Sequence, residues 1–387
     1  MVDHTEARDG GSTVKTMAAI LWERHTPWSV EEIELDPPKA GEVLVKLAAS
    51  GMCHSDEHIV TGDLAGVTGE PPCVGGHEGA GVILEVGPGV TSLQVGDHVV
   101  FSFLPACGRC PSCASGHSNL CDLGGVTAGG LQLSDGTSRH HARGQDLRLA
   151  IGCLGTFAHH TVVNEASCVK IEKEWPLDRA CLLGCGVVTG WGSAVYAAQV
   201  EPGDMVAVVG AGGIGANVIQ GARLAGARVI AAIDPIEFKR QKAKEFGATH
   251  TYASVDEALG DLASSTWNRG FNKVIMTMGV GDGEVLGKAF WLASKGSKIV
   301  VTNIHPTSEQ SISIPAVLLT LQEKQLIGSL FGSANMRKDI PMLMELYTQG
   351  QLDLDRLITR TYPLEGINDG YADMNAGKNI RGVLIYE

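Results

Sequence analysis

"VAVVGAGGIGAN", residues 206–217, decides how this chain of 387 residues is read. Four apolar residues run into Gly210, and Gly210, Gly212 and Gly215 stand as G-x-G-x-x-G, with Gly213 and Ile214 between them. The helical pattern "ANVIQGARLAGA" follows at once. Three glycines alone are a common pattern. Between a buried strand and a helix they form a turn that lets the backbone approach a pyrophosphate at the helix N-terminus. The next strand-like run, "RVIAAID" (228–234), ends in Asp234, 19 residues past Gly215. A carboxylate there accepts from the ribose hydroxyls of NAD and repels the 2′-phosphate of NADP, so the chain reads as NAD-binding.

Outward from this stretch the grammar repeats. The amphipathic helix "EFKRQKAKEFGA" is followed by the strand-like runs "KVIMTMG" (273–279), "KIVVTN" (298–303) and "QLIGSLFG" (325–332), with the helix-like "GEVLGKAFWLAS" between the first two. Strand–helix alternation over about 140 residues predicts a doubly wound parallel sheet. Residues 17–104 read differently. "EEIELDPP", "GEVLVKLAASG", "GAGVILEVGPGV" and "GDHVVFSF" are short strand-like runs broken by Gly and Pro. They predict an antiparallel, barrel-like domain. "FAHHTVVNEASCVKI" returns to strand. After 332, "MRKDIPMLMELYTQGQ" and "INDGYADMNAG" read as helices and "RGVLIYE" as a final strand.

Net charge is −13 with no Lys/Arg run, which argues against nucleic-acid and anionic-membrane partners. No apolar run reaches the roughly 18 residues of a membrane helix. The polar start, "MVDHTEARDGGSTVKT", reads as a short disordered leader (1–16) on a cytoplasmic protein. Ten cysteines are too few for a disulfide-stapled secreted chain of this length, and clustered cysteines in a reducing compartment more often bind metal.

Four of them, Cys107, Cys110, Cys113 and Cys121, are spaced C-x2-C-x2-C-x7-C within "CGRCPSCASGHSNLC". Four thiolates this close can surround one Zn2+ tetrahedrally and leave no place for water, which is a structural site. Two disulfides in so short a loop would be strained. An Fe–S cluster is the other soft-metal option. A second set is dispersed. "GMCHSDEHIV" supplies Cys53, His54, Ser55, Asp56 and His58, "GGHEGAG" supplies His77 and Glu78, and "LLGCGVVTGWG" supplies Cys185. Two thiolates, one imidazole and a carboxylate match a catalytic zinc with one open position. Zinc there would lower the pKa of a bound alcohol. Ser55 and His58 could pass the alcohol proton to solvent, and Asp56 suits a hydrogen bond to the free nitrogen of the zinc-bound His. Cys73, Cys153, Cys168 and Cys181 have no partner at motif spacing and read as buried small hydrophobes. His117, His140, His141, His159 and His160 read as surface or structural.

These residues give the chain a family resemblance. Over about residues 17–387 it resembles the zinc-dependent, medium-chain alcohol dehydrogenases. The resemblance implies an α/β fold: a GroES-like β-barrel-type catalytic domain plus a Rossmann doubly wound parallel-sheet coenzyme domain. The coenzyme domain would span 187–330, and the catalytic domain would be discontinuous, 17–186 with 331–387. Cys53, His77 and Cys185 would bind the catalytic zinc, with Glu78 an alternative ligand. The four clustered cysteines would bind a structural zinc, making two Zn2+ per chain. Ser55 and His58 would form the proton relay, and Asp56 would support His77. The Gly210–Gly215 loop, Asp234 and Lys239 would hold NAD. Thr189 and Ile214 match residues against the nicotinamide, and Arg381 matches a pyrophosphate contact. The resemblance implies Asn303 and Phe331 as further coenzyme positions. His54 stands where many relatives have an Arg on the pyrophosphate. The family also implies a homo-oligomer.

Stretches such as "LLGCGVVTGWGSAV" and "GSLFGSANMRKDIP" are most similar to one branch, the nicotinoproteins. Those keep NAD(H) bound without exchange and pass electrons to an external carrier. The carrier is N,N-dimethyl-4-nitrosoaniline (NDMA) in vitro and a mycofactocin-type carrier in cells. The implied function is oxidation of a small-molecule alcohol to an aldehyde or ketone. Three rival readings remain: a freely exchanging NAD enzyme, a glutathione-dependent formaldehyde dehydrogenase, and a non-enzymatic dinucleotide-binding protein. Residues 122–138 hold no Lys or Arg to receive a glutathione carboxylate. Phe103, Phe157 and the loop after Gly62 are expected to line the substrate pocket.

Overall fold

The computed structural model describes residues 12–387. The chain divides into two compact units: residues 12–184, 361–371 and 383–387 form one, and 185–360 with 372–382 form the other. Residues 331–360, which the sequence reading groups with the catalytic segments, cluster with the second unit.

The first unit holds ten strands before residue 184. They are β1 (Val14–Leu21), β2 (Ser29–Leu35), β3 (Glu42–Gly51), β4 (Cys73–Val74), β5 (Glu78–Val86), β6 (His98–Phe101), β7 (His140–Ala142), β8 (Gln145–Leu149), β9 (His160–Asn164) and β10 (Cys168–Ile171). β1-β2-β7-β8-β4 closes as a barrel. Its pairs are antiparallel except β4 with β8. Closure leaves no open edge. Val14, Ile20, Ile33, Leu35, Val74, Leu147 and Leu149 fill one buried cluster. β3, β5, β6, β9 and β10 build a second sheet, to which the C-terminal strand (Arg381–Ile385) is added through Val383–Ile385 on β3. Most of the leader segment, residues 1–11, lies outside the described residues. Its last part is not a leader. β1 begins at Val14, and Val14 and Thr16 are buried while Lys15 points out, an alternation that pairs with Leu35 to Ser29 of β2.

The second unit is a parallel sheet of six strands. In chain order they are β11 (Met205–Val209), β12 (Val229–Ile233), β13 (His250–Tyr252), β14 (Phe271–Met276), β15 (Ala293–Val301) and β16 (Gln325–Gly328). Their spatial order is β13-β12-β11-β14-β15-β16, so the order reverses at β11. That is the doubly wound arrangement, in which ligands bind beyond the carboxyl ends of the strands at the reversal. β11 and β12 are buried along their whole length, as strands covered by helices on both faces must be. Helices Gly213–Leu224, Glu237–Phe246 and Gly283–Leu292 supply the crossovers. A helix not foreseen in the sequence, Gly186–Gly192, runs into the wider turn Ser193–Ala197.

One buried ion pair ties the first unit together. Arg139 is fully buried; its Nε donates to Glu42 Oε2 at 2.9 Å and its Nη2 to Oε1 at 2.8 Å. Nη2 also reaches Asp135 at 3.0 Å, and Nη1 donates to Thr137 and to the Ser138 carbonyl. Glu42 opens β3 and Arg139 precedes β7, so the pair joins the second sheet to the barrel. Replacing Arg139 by Met is expected to leave Glu42 charged and unpaired, at a cost of about 3–5 kcal/mol. Urea unfolding with an unchanged slope and a lower midpoint would show this; an unchanged midpoint would contradict it.

Candidate active site

Cys53, His77, Glu78 and Cys185 come together, with one ligand atom from each lying within 4.8 Å of the others, and all four are buried. Each arrives by a different device. Cys53 sits between β3 and helix His54–Thr61, at that helix's N-cap. His77 lies in the turn before β5, and Glu78 begins β5. Gly184, the last residue of the first unit, packs so closely that a Cβ on it would stand 2.4 Å from the Phe101 carbonyl oxygen. Cys185 is the next residue, so its position starts from that close contact.

The surroundings fit a cation. Nδ1 of His77 lies 3.0 Å from Oδ2 of Asp56, which leaves Nε2 as the ring nitrogen for a metal. Asp56 is itself fixed, because its Oδ1 accepts from the Gly76 N–H at 3.0 Å. Burial disfavours a charged His77, yet the Asp56 carboxylate and the Cys53 thiol outweigh it and hold the imidazole pKa well above its usual value. Positive charge is therefore favoured at this point, and a divalent cation supplies it. The His77 ring stands edge-on to Phe103 at 5.8 Å. Tyr371, which sequence reasoning missed, is buried and donates its hydroxyl to the Cys53 carbonyl at 3.4 Å. Phe157 is fully buried between Trp28 and Tyr371.

Helix His54–Thr61 also carries the two residues expected to form the relay. Ser55 and His58 are three residues apart and so share a face. The Ser55 hydroxyl lies 3.5 Å from Cys53 Sγ. His58 is 3% exposed and its Nδ1 meets Asp63 Oδ2 at 2.9 Å. Asp63 was not foreseen either. His54 is half-buried at the first position of the helix.

The second cluster, Cys107, Cys110, Cys113 and Cys121, also gathers within 4.8 Å. All ten cysteines are unbridged. Backbone N–H groups of Arg109 and Cys110 donate to Cys107 Sγ at 3.5 and 3.3 Å, and that of Cys113 to Cys110 Sγ at 3.5 Å. Those bonds bring the Cys107 thiol pKa down to about 6. Burial pushes Cys113 up to about 12. Without a cation the four cannot all ionise in so small a volume; a divalent cation is what allows it. Cys73, Cys153, Cys168 and Cys181 are buried apart from both sets. His140 is buried against Thr161, His141 pairs with Asp36 and Asp146, and His160 meets Thr16.

In the second unit the glycine turn joins β11 to helix Gly213–Leu224. A Cβ on Gly215 would stand 1.9 Å from the Gly210 carbonyl oxygen, whereas one on Gly212 would meet nothing within 4 Å. The first glycine lets helix and strand pack; the second leaves its backbone open to an approaching phosphate. Gly213 lies against Arg381. Asp234 directly follows β12, with Oδ2 accepting from Ala211 N–H and Oδ1 from Ile236 N–H, both at 2.9 Å. Lys239 is partly exposed on the following helix. Thr189 and Phe331 are buried. Asn303 Nδ2 lies 3.4 Å from His305 Nε2.

The alcohol dehydrogenase GroES-like domain family matches residues 39–173, and the zinc-binding dehydrogenase family matches 213–349. The chain is 48% identical to alcohol dehydrogenase B of Mycobacterium tuberculosis over 96% of its own length and 99% of that protein's. This chain belongs to the zinc-binding alcohol dehydrogenases. The dehydrogenase is also 47% identical to the NDMA-dependent alcohol dehydrogenase of Amycolatopsis methanolica, over 96% of this chain and 99% of that one. Among solved structures, an alcohol dehydrogenase zinc-binding domain protein of Burkholderia ambifaria superposes with a TM-score of 0.90 at 31% identity, covering 97% of this chain and 100% of that one. Benzyl alcohol dehydrogenase of Acinetobacter calcoaceticus gives 0.88 at 29%, with the same coverage. The dehydrogenase is an oxidoreductase of the zinc- and nicotinamide-using class. Among the described residues no single helix is long and apolar enough to cross a membrane.

Replacing Asp56 by Asn is expected to weaken metal retention at the Cys53–His77–Cys185 set about 10- to 100-fold. Chelator competition on the purified enzyme measures it, and equal retention in parent and variant would contradict it.

Proposed function

We propose that this dehydrogenase oxidises a small-molecule alcohol to an aldehyde or ketone by hydride transfer to NAD that stays bound through the cycle. An external acceptor then re-oxidises the coenzyme: NDMA in vitro, a mycofactocin-type carrier in cells. The first unit is the catalytic one and the second holds the coenzyme. The observation that carries the chemistry is the buried set of two thiols, one imidazole and one carboxylate around a single point. Its likeness over nearly the whole chain to an NDMA-dependent enzyme supports the bound-coenzyme reading. The fixed carboxylate of Asp234 supports NAD over NADP.

Cys53, His77 and Cys185 would hold a catalytic zinc, with Glu78 as an alternative ligand, and the four-cysteine cluster a structural one. Zinc at the first site supplies a Lewis acid that favours ionisation of a bound alcohol. NAD supplies the hydride acceptor. The chain's own residues do the rest. Asp56 fixes the ring of His77. Ser55 accepts the alcohol proton as it passes its own to His58, which hands it outward. Asp234 orients the coenzyme ribose, and the glycine turn receives the pyrophosphate.

Two measurements test this. Protein purified without added coenzyme is expected to develop the reduced-nicotinamide absorbance band on addition of a primary alcohol, and to lose it on addition of NDMA. Turnover that appears only with free NAD would overturn the bound-coenzyme reading, and no turnover in either regime would overturn alcohol oxidation. Cys110→Ser is expected to lower zinc content by about one ion per chain and to lower the melting temperature. An unchanged zinc count would contradict the second zinc.

A further inference from the structure

Helix His54–Thr61 ends at Gly62, whose left-handed backbone (φ 82°) donates its N–H to the His58 carbonyl at 3.0 Å. The chain therefore turns back on the helix at once, and the next residue, Asp63, meets the His58 ring. Nδ1 of His58 and Oδ2 of Asp63 are 2.9 Å apart. The same oxygen accepts from the Thr61 hydroxyl at 2.7 Å, which holds the carboxylate in place. The two side chains differ in exposure: His58 is 3% exposed and Asp63 31%. The neighbouring cation does not compete, because Arg24, which lies against Gly62, pairs with Glu70. The other carboxylates of the helix are Asp56, which faces His77, and Glu57.

We propose that Asp63 is the positioning residue of the proton relay, holding His58 in the Nδ1–H tautomer so that Nε2 presents a lone pair as acceptor, and balancing the charge of the imidazolium that forms. The proposal rests on the alcohol-oxidising reading given above. Protons balance along the path. Ser55 gives its hydroxyl proton to His58 Nε2 and regains one from the alcohol. His58 then carries two N–H groups. The Asp63 carboxylate stays ionised and balances that positive charge through the Nδ1–H bond. The proton gained at Nε2 then leaves to water, which restores the Nδ1–H tautomer. A buried imidazolium is costly without a carboxylate beside it, and Asp63 supplies one. The His58 and Thr61 hydrogen bonds hold the Asp63 carboxyl pKa below its usual value, so it is ionised and accepts the Nδ1–H bond across the neutral pH range. The logic is that of a carboxylate orienting a catalytic histidine in an acyl-transfer triad, here set in an alcohol proton path.

The test uses full-length zinc-loaded enzyme and two readouts. In steady-state assays with a primary alcohol and NDMA, or with free NAD if the coenzyme exchanges, Asp63→Ala is expected to lower kcat about 10- to 100-fold. The alcohol KM should change less than about twofold, and Asp63→Glu should recover much of the loss. In a His58→Ala background, Asp63→Ala should lower kcat no further, because the two residues act as a unit. A merely structural Asp63 would instead give additive losses and a lower melting temperature. Nitrogen-15 NMR of histidine-labelled enzyme reads the tautomer independently of turnover: Nδ1–H in the parent, shifted toward Nε2–H in Asp63→Ala. A parent that shows the Nδ1–H form but oxidises no alcohol would sink the function proposed above and leave the positioning of His58 intact. An unaltered kcat, or an unaltered tautomer, in Asp63→Ala would overturn the role of Asp63.

Discussion

Everything at the candidate active site follows from one constraint: two thiols, an imidazole and one carboxylate are buried within a few ångströms of a point, and such a set is stable only around positive charge. Burial of like charges is costly, and desolvation removes the water that would screen them. A divalent cation reverses the balance. The fold meets this demand with rigid elements. Cys53 is set by the end of β3, Glu78 by the start of β5, and Cys185 by the tight packing of Gly184 on Phe101. None of the three can drift without moving a sheet. The four-cysteine loop answers the same demand locally, with backbone N–H groups directed at sulfur in place of sheet positions.

Much of this was legible in the sequence, and the reason is physical. Parallel strands covered on both faces must be apolar throughout, so "MVAVV" and "VIAAI" announce themselves. The glycine turn and the cysteine spacing are local, so they survive without knowledge of the fold. What was not legible depends on distant partners. β13 is only "HTY", with polar residues at two of three positions, and it is a strand because β12 offers it an edge. Helix Gly186–Gly192 contains three glycines, which argue against helix in isolation. Two of them permit close packing, Gly190 on the backbone of Ile214 and Gly192 on that of Gly332. Val14–Thr16 looked like part of a polar leader because one alternating turn of strand is too short to outweigh the charges before it. Asp63 follows a glycine past a helix end, so its sequence neighbours say nothing of His58; only the left-handed turn at Gly62 joins them.

The coenzyme side shows the same preference for preorganisation. Asp234 would be a poor ribose acceptor if its carboxylate swung freely. Both of its oxygens are held by backbone N–H groups, one from the glycine turn and one from the start of the next helix. On the proposed reading, the residue that would select the ribose is thereby locked to the turn that would receive the pyrophosphate. Each remaining lone pair points where the chain, not the ligand, has decided.

One short helix unites the two halves of the chemistry. Cys53 caps it, Ser55 and His58 share one face, and Asp56 turns to His77. Two histidines are thus each gripped at Nδ1 by an aspartate, Asp56 on His77 and Asp63 on His58. The grips differ in one respect that matters. Asp56 is fully buried and anchored by a backbone N–H, which suits a ligand whose ring must not move. Asp63 is held by a hydroxyl and reaches water, which suits a ring that must take a proton and lose it again. On the proposed reading, the same pairing, buried in one case and half-exposed in the other, would separate a fixed imidazole from a working one.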